Sequence, residues 1–88
     1  MSNDDVQLEI TQREAKLIIK YGYPFPDHQP LFESAAKREG ISLIEIDSFW
    51  LEQLLGDLCR SIREVKSASL QEELNEICDS IEWELKNS

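Results

Sequence analysis

Apolar and polar residues alternate near the start of the chain, where Val6, Leu8 and Ile10 stand against Gln7 and Glu9. A period of two is the mark of a strand with one buried face, so a strand is expected over 6–10. The period then changes. Thr11 and Glu14 are spaced as a capping box, in which the threonine hydroxyl takes one orphan helix N–H and the glutamate reaches back to another. The helix this opens is expected over 12–21, with Ala15, Ile18 and Ile19 on its inner side and Gly22 as its left-handed cap. Tyr23 is expected to pack back onto Ile18. Pro30 suits the first turn of a second helix, over 30–39, because its missing N–H is no loss there. Leu31 with Ala35, and Phe32 with Ala36, are i,i+4 pairs on that helix, and Gly40 closes it. A β-branched run over 41–46 reads as a second strand, followed by Asp47 and Ser48 as ready N-caps.

The remaining chain is helical in period. Leu51, Leu55, Leu58, Ile62 and Val65 make a heptad-like stripe, predicting a helix over 48–66. Leu70, Leu74, Ile77, Ile81 and Leu85 make a second stripe, predicting a helix over 70–86. At about 100° per residue the second stripe is rotated by about 120–140° from the continuation of the first, which favours a turn between them. Ser69 and Glu72 are spaced as a fresh capping box, which sets that turn near Ala68 and makes the pair an antiparallel hairpin. The fold class is therefore α+β and mostly helical, with two short strands covered by four helices, since two strands alone are not stable in water. The alternative is an all-α chain in which the last two helices form one long kinked helix. A tail is expected over residues 1–5 and one small domain over 6–88.

Charge narrows the function. Eighteen acidic against nine basic residues give a net charge of −9. Phosphate repels such a field, so nucleic acid is not expected as a direct partner. No apolar run approaches the roughly 20 residues of a membrane helix, and the polar, acidic start is unlike an export signal. The two cysteines, Cys59 and Cys78, are too few for a disulfide scaffold, so a reduced, cytoplasmic protein is the expectation.

Catalytic signatures are missing. His28 is the one histidine, and with two cysteines it leaves three soft ligands where a structural zinc site wants four. No Gly-rich phosphate loop or paired metal-binding histidines occur. No enzyme activity, cofactor or metal is expected. Gly56 lies inside a helix, where a close helix crossing is the usual reason for a glycine.

Two surfaces stand out as places for a partner. The last helix carries six acids against Lys86, and Glu72, Glu76, Asp79 and Trp83 fall on one stripe of it. Trp83 sits about 200° from Ile81, off the apolar seam. An aromatic anchor ringed by one sign of charge has the makings of a protein-binding hot spot, whereas packing on a neighbouring element is the commoner fate of a tryptophan. The second surface is the corner over 20–30, with all three prolines, where Tyr21, Phe25, Asp27 and His28 are the secondary candidates. Its prolines lack the spacing of a polyproline ligand, so a rigid interhelix corner is the expectation.

In size, acidity and helical content the chain resembles the small immunity proteins that neutralise bacterial nuclease toxins. The function expected is a small accessory or interaction module, immunity- or antitoxin-like, for a basic protein partner. A homo-oligomeric structural domain, most simply a homodimer, is the alternative. A redox or metal switch through Cys59, Cys78 and His28 is the third reading.

Overall fold

The computed structural model describes residues 5–87, and the tail expected over 1–5 lies outside them except for Asp5, which begins the first strand. The chain runs β1 (Asp5–Thr11), α1 (Gln12–Gly22), α2 (Gln29–Lys37), β2 (Ile41–Asp47), α3 (Ser48–Glu64) and α4 (Ala68–Lys86). This is the mostly helical α+β arrangement that the two periods predict, and the break at 65–67 excludes one long helix. The strands pair antiparallel, with Leu8 opposite Ile44. Their alternation buries Val6, Leu8, Ile10, Ser42, Ile44 and Ile46 against the helices. The other face is open to solvent, and there Gln7 donates to Glu45 across the strands (3.3 Å).

Caps set where the helices start. Thr11 and Glu14 form the expected capping box, with bonds of 3.1 and 2.8 Å. Asp47 accepts from the Phe49 N–H (2.8 Å) and so starts α3. The cap of α4 departs from expectation: Ser67, not Ser69, accepts from the Leu70 N–H (3.3 Å). Gln71 then reaches back across the turn, donating to the carbonyls of Ile62 (3.1 Å) and Val65 (2.7 Å). Those bonds give the C-terminal carbonyls of α3 a partner and leave the turn without need of glycine.

Buried aliphatic side chains from every element meet in one core, with Phe32, Leu8, Ile18, Leu51, Leu58, Leu74 and Ile81 fully enclosed. The stripes are shifted from those expected. Leu17 joins the core from α1, and Leu54 replaces Leu55 on the inner face of α3. Leu55, Ile62, Val65, Leu70 and Leu85 are half-buried at its margin.

The end of α1 needs a different account from the one its sequence suggests. Gly22 is still helical and buried, and Tyr23 takes the left-handed conformation (φ 50°). A Cβ at Gly22 would lie 2.6 Å from Leu54 Cδ1 and 3.3 Å from Leu58. The glycine is required for the approach of α1 to α3, not for its φ. The Ser61 hydroxyl on α3 donates to the Tyr21 carbonyl (2.6 Å), so the crossing also satisfies a terminal carbonyl of α1. Tyr23 does not pack on Ile18; its side chain is 67% exposed. All peptide bonds among the described residues are trans, the two preceding Pro24 and Pro26 included. Gly40 does take a positive φ (86°), but α2 ends earlier, at Lys37, so the glycine serves the turn into β2.

Candidate functional site

The corner between α1 and α2 folds over the start of α3. Pro24 is buried, and a turn from Phe25 brings the N–H groups of His28 (2.8 Å) and Gln29 (3.1 Å) onto the Phe25 carbonyl. That turn holds Phe25 against α3. Its ring stacks on Trp50 with centroids 4.2 Å apart, while Phe49 meets Trp50 edge-on at 5.0 Å and His28 lies tilted 6.1 Å from Phe25. Such stacked and edge-on pairs add about 0.5–1.5 kcal/mol each to the burial of their area. The cluster walls a cleft of about 220 Å³, lined by Tyr23, Phe25, His28, Trp50, Gln53 and Asp57 among others.

Two features of the cleft are unusual. His28 Nδ1 is buried without a hydrogen-bond partner. Such an atom normally finds one, so it is an unmet demand. Tyr23, at the cleft, pays about 1–2 kcal/mol to hold a non-glycine residue left-handed. Of the corner residues singled out in the sequence, the structure brings Phe25 and His28 together. Tyr21 is half-buried against the core with Lys20 Nζ 5.4 Å from its ring centroid, and Asp27 is exposed outside the cleft lining. Trp50 and Asp57 complete the site and were not among the sequence candidates. The phase set by the Asp47 cap could have indicated that Trp50 and Asp57, seven residues apart, share a face of α3.

The second surface is the outer side of α4. Glu72, Glu76 and Asp79 are exposed, and so is Trp83, at 60%. Packing of Trp83 on α1 or the strands, the commoner fate of a tryptophan, is not what the structure shows. The reason is phase: Leu74, Ile77, Cys78 and Ile81 already fill the buried side of α4. Glu73 stands apart from this stripe. It binds Arg13 of α1 through two contacts of 2.5 and 2.9 Å. The hydrogen bond from Arg13 holds the Glu73 carboxyl below its ordinary range, and Glu73 in turn raises the guanidinium. Arg13, the first of the basic residues on α1, is thus engaged within the chain rather than offered to another copy.

A third grouping lies along the α3–α4 seam. Cys59 is exposed and Cys78 buried, and the two are close enough across the seam to interact. Burial first, then the neighbouring Cys59, pushes the Cys78 thiol up to about 12. Thiolate is the reactive form, so that environment keeps Cys78 inert. Gly56 makes no close helix crossing. A Cβ there would meet nothing within 4 Å. It faces a groove of about 450 Å³ that also involves Leu55, Cys59, Glu82, Leu85 and Lys86.

Among the described residues no group of three His, Cys, Asp or Glu side chains could hold a metal, and no helix is long and apolar enough to cross a membrane. Compared with known proteins, the chain matches no family model, no curated protein and no solved structure.

Proposed function

We propose that this chain is a protein-interaction module that binds a basic protein partner through the outer face of α4. The observation that carries the reading is Trp83, a large aromatic held 60% exposed on the stripe of Glu72, Glu76 and Asp79. Leaving such a surface in water forgoes burial that a partner's interface would supply, and aromatic anchors dominate the energy of interfaces. The carboxylates around it speed encounter with a positive surface and disfavour a second acidic copy. Self-association through α3 and α4 is therefore the weaker alternative. An immunity- or antitoxin-like inhibitor, shielding a basic effector, is the specific form we favour. The reading is non-enzymatic, and among the described residues no serine, threonine or cysteine lines the cleft of His28 to serve as its nucleophile. It places the protein in the cytoplasm, where two adjacent free thiols stay reduced.

Trp83→Ala and Glu76→Lys test it. Each should abolish recovery of a basic partner, identified by mass spectrometry after capture from native lysate, and leave the circular-dichroism melt unchanged. Undiminished recovery by both variants overturns the proposal.

A further inference from the structure

The cleft at the α1–α2 corner has a chemistry of its own. Its walls are the stacked faces of Phe25 and Trp50, with Tyr23 at its edge. Its polar groups are Gln53, the carboxylate of Asp57 and His28, whose Nδ1 is buried and unpaired. Among the described residues no lysine or arginine lines it. With its proton on Nε2, an imidazole presents Nδ1 as a bare acceptor. The cleft therefore joins an acceptor, a carboxylate and aromatic faces inside a chain of net charge −9. That set repels anions, and a neutral aromatic ligand would leave Nδ1 unanswered and the carboxylate with only its exposed Arg60 partner. A guanidinium meets every requirement: it is planar, permanently charged, carries five donors and no acceptor, and stacks on aromatic rings. Lysine supplies the charge but not the planar stack.

We infer that the cleft lined by Phe25, His28, Trp50 and Asp57 receives an arginine side chain of the partner, a second contact apart from the α4 face. The ion pair between Asp57 and Arg60 does not block it. Arg60 reaches Asp57 from three residues along the same helix and is itself largely exposed, so an incoming donor can compete for the carboxylate. An i,i+3 pair whose cation stands in solvent is worth little and yields readily to a better-placed cation. His28 accepts at Nδ1, and the guanidinium plane lies against the Phe25–Trp50 pair.

This inference takes from the proposed function only the positive charge of the partner. Its test needs no partner and no α4 face. The protein, labelled with ¹⁵N, is titrated with N-acetyl-arginine amide while the indole N–H signals of Trp50 and Trp83 are followed. A saturable shift at Trp50, with Trp83 silent, is expected at a Kd of about 1–10 mM, the range open to so small a probe. The citrulline analogue, neutral and nearly isosteric, should bind at least about tenfold more weakly. His28→Phe keeps a ring but removes the acceptor and should weaken arginine about five- to tenfold. Asp57→Asn should do the same, and both variants sit where their melts can be checked against the parent. No saturable shift at Trp50, a response at Trp83 instead, or equal affinity for citrulline overturns the inference. In that case loss of partner by the Trp83 variant would still stand, and arginine binding in a chain whose α4 variants keep their partner would separate the two the other way.

Discussion

The two sides of α3 are built on opposite terms. Toward α1 the helix is closed: Leu54 and Leu58 meet the bare backbone of Gly22, and the Ser61 hydroxyl holds the Tyr21 carbonyl. Toward the end of α4 it is open, and Leu55, Gly56 and Cys59 face a groove shared with Glu82, Leu85 and Lys86. Each side has one helical glycine near it, yet only one of them is there for packing. A missing side chain allows a close crossing only where another helix actually passes, and that place is Gly22. Gly56 lacks any neighbour that a Cβ would disturb. Closure follows from which helix passes over a residue, not from the residue type.

Thiol chemistry should show the largest contrast, between Cys59 on the open groove and Cys78 in the core beside it on α4. With Cys78 pushed up to about 12 and Cys59 exposed, iodoacetamide at pH 8 should label Cys59 and spare Cys78. At that pH only about one Cys78 in ten thousand is thiolate, so a rate ratio of at least about a hundred is expected from peptide mass spectrometry. The Cys78 rate should climb about tenfold per pH unit until it nears 12. The raised thiol also stabilises the fold fully below the ordinary thiol value and loses that contribution as pH rises toward 12. Equal labelling of both thiols in the folded chain would place Cys78 outside the core.

Truncation should separate the sides next. Leu58→Ala leaves a cavity beneath α1 and should cost about 2–5 kcal/mol in urea unfolding. Leu55→Ala, at the half-buried margin, should cost only about 1 kcal/mol. Similar losses would mean that the groove side is packed as tightly as the crossing.

The glycines give the finest distinction, because their alanine variants should differ in sign. At Gly22 an added methyl must displace Leu54 and Leu58; overpacking costs about 1–3 kcal/mol, and better helix propensity returns up to about 1. Net destabilisation near 1 kcal/mol is expected. Gly56→Ala meets open space and should stabilise by about 0.5–1 kcal/mol. A stabilising Gly22→Ala would remove the crossing from its account.

Much of the architecture was legible in the chain. The alternation at Val6, Leu8 and Ile10 fixed a half-buried strand, because period two admits only one inner face. The phase break between Val65 and Leu70 forced a hairpin, and Thr11 and Asp47 capped their helices as their hydroxyl and carboxylate require. The acidic stripe with Trp83 was likewise readable, since helical phase alone puts it off the seam.

Other features depend on contacts between residues far apart in sequence, which no local pattern encodes. Gly22 looked like a cap because glycine tolerates a positive φ, but the crossing of α3 claimed its empty side and passed the left-handed turn to Tyr23. The corner looked like rigid spacing because its prolines are local. Only the docking of Phe25 on Trp50 turns it into a cleft and leaves His28 Nδ1 buried without a partner. Amphipathic period and capping are short-range physics and are written in the sequence. Backbone approach, ring stacking and an unsatisfied nitrogen are consequences of what tertiary packing brings alongside, and the structure alone decided them.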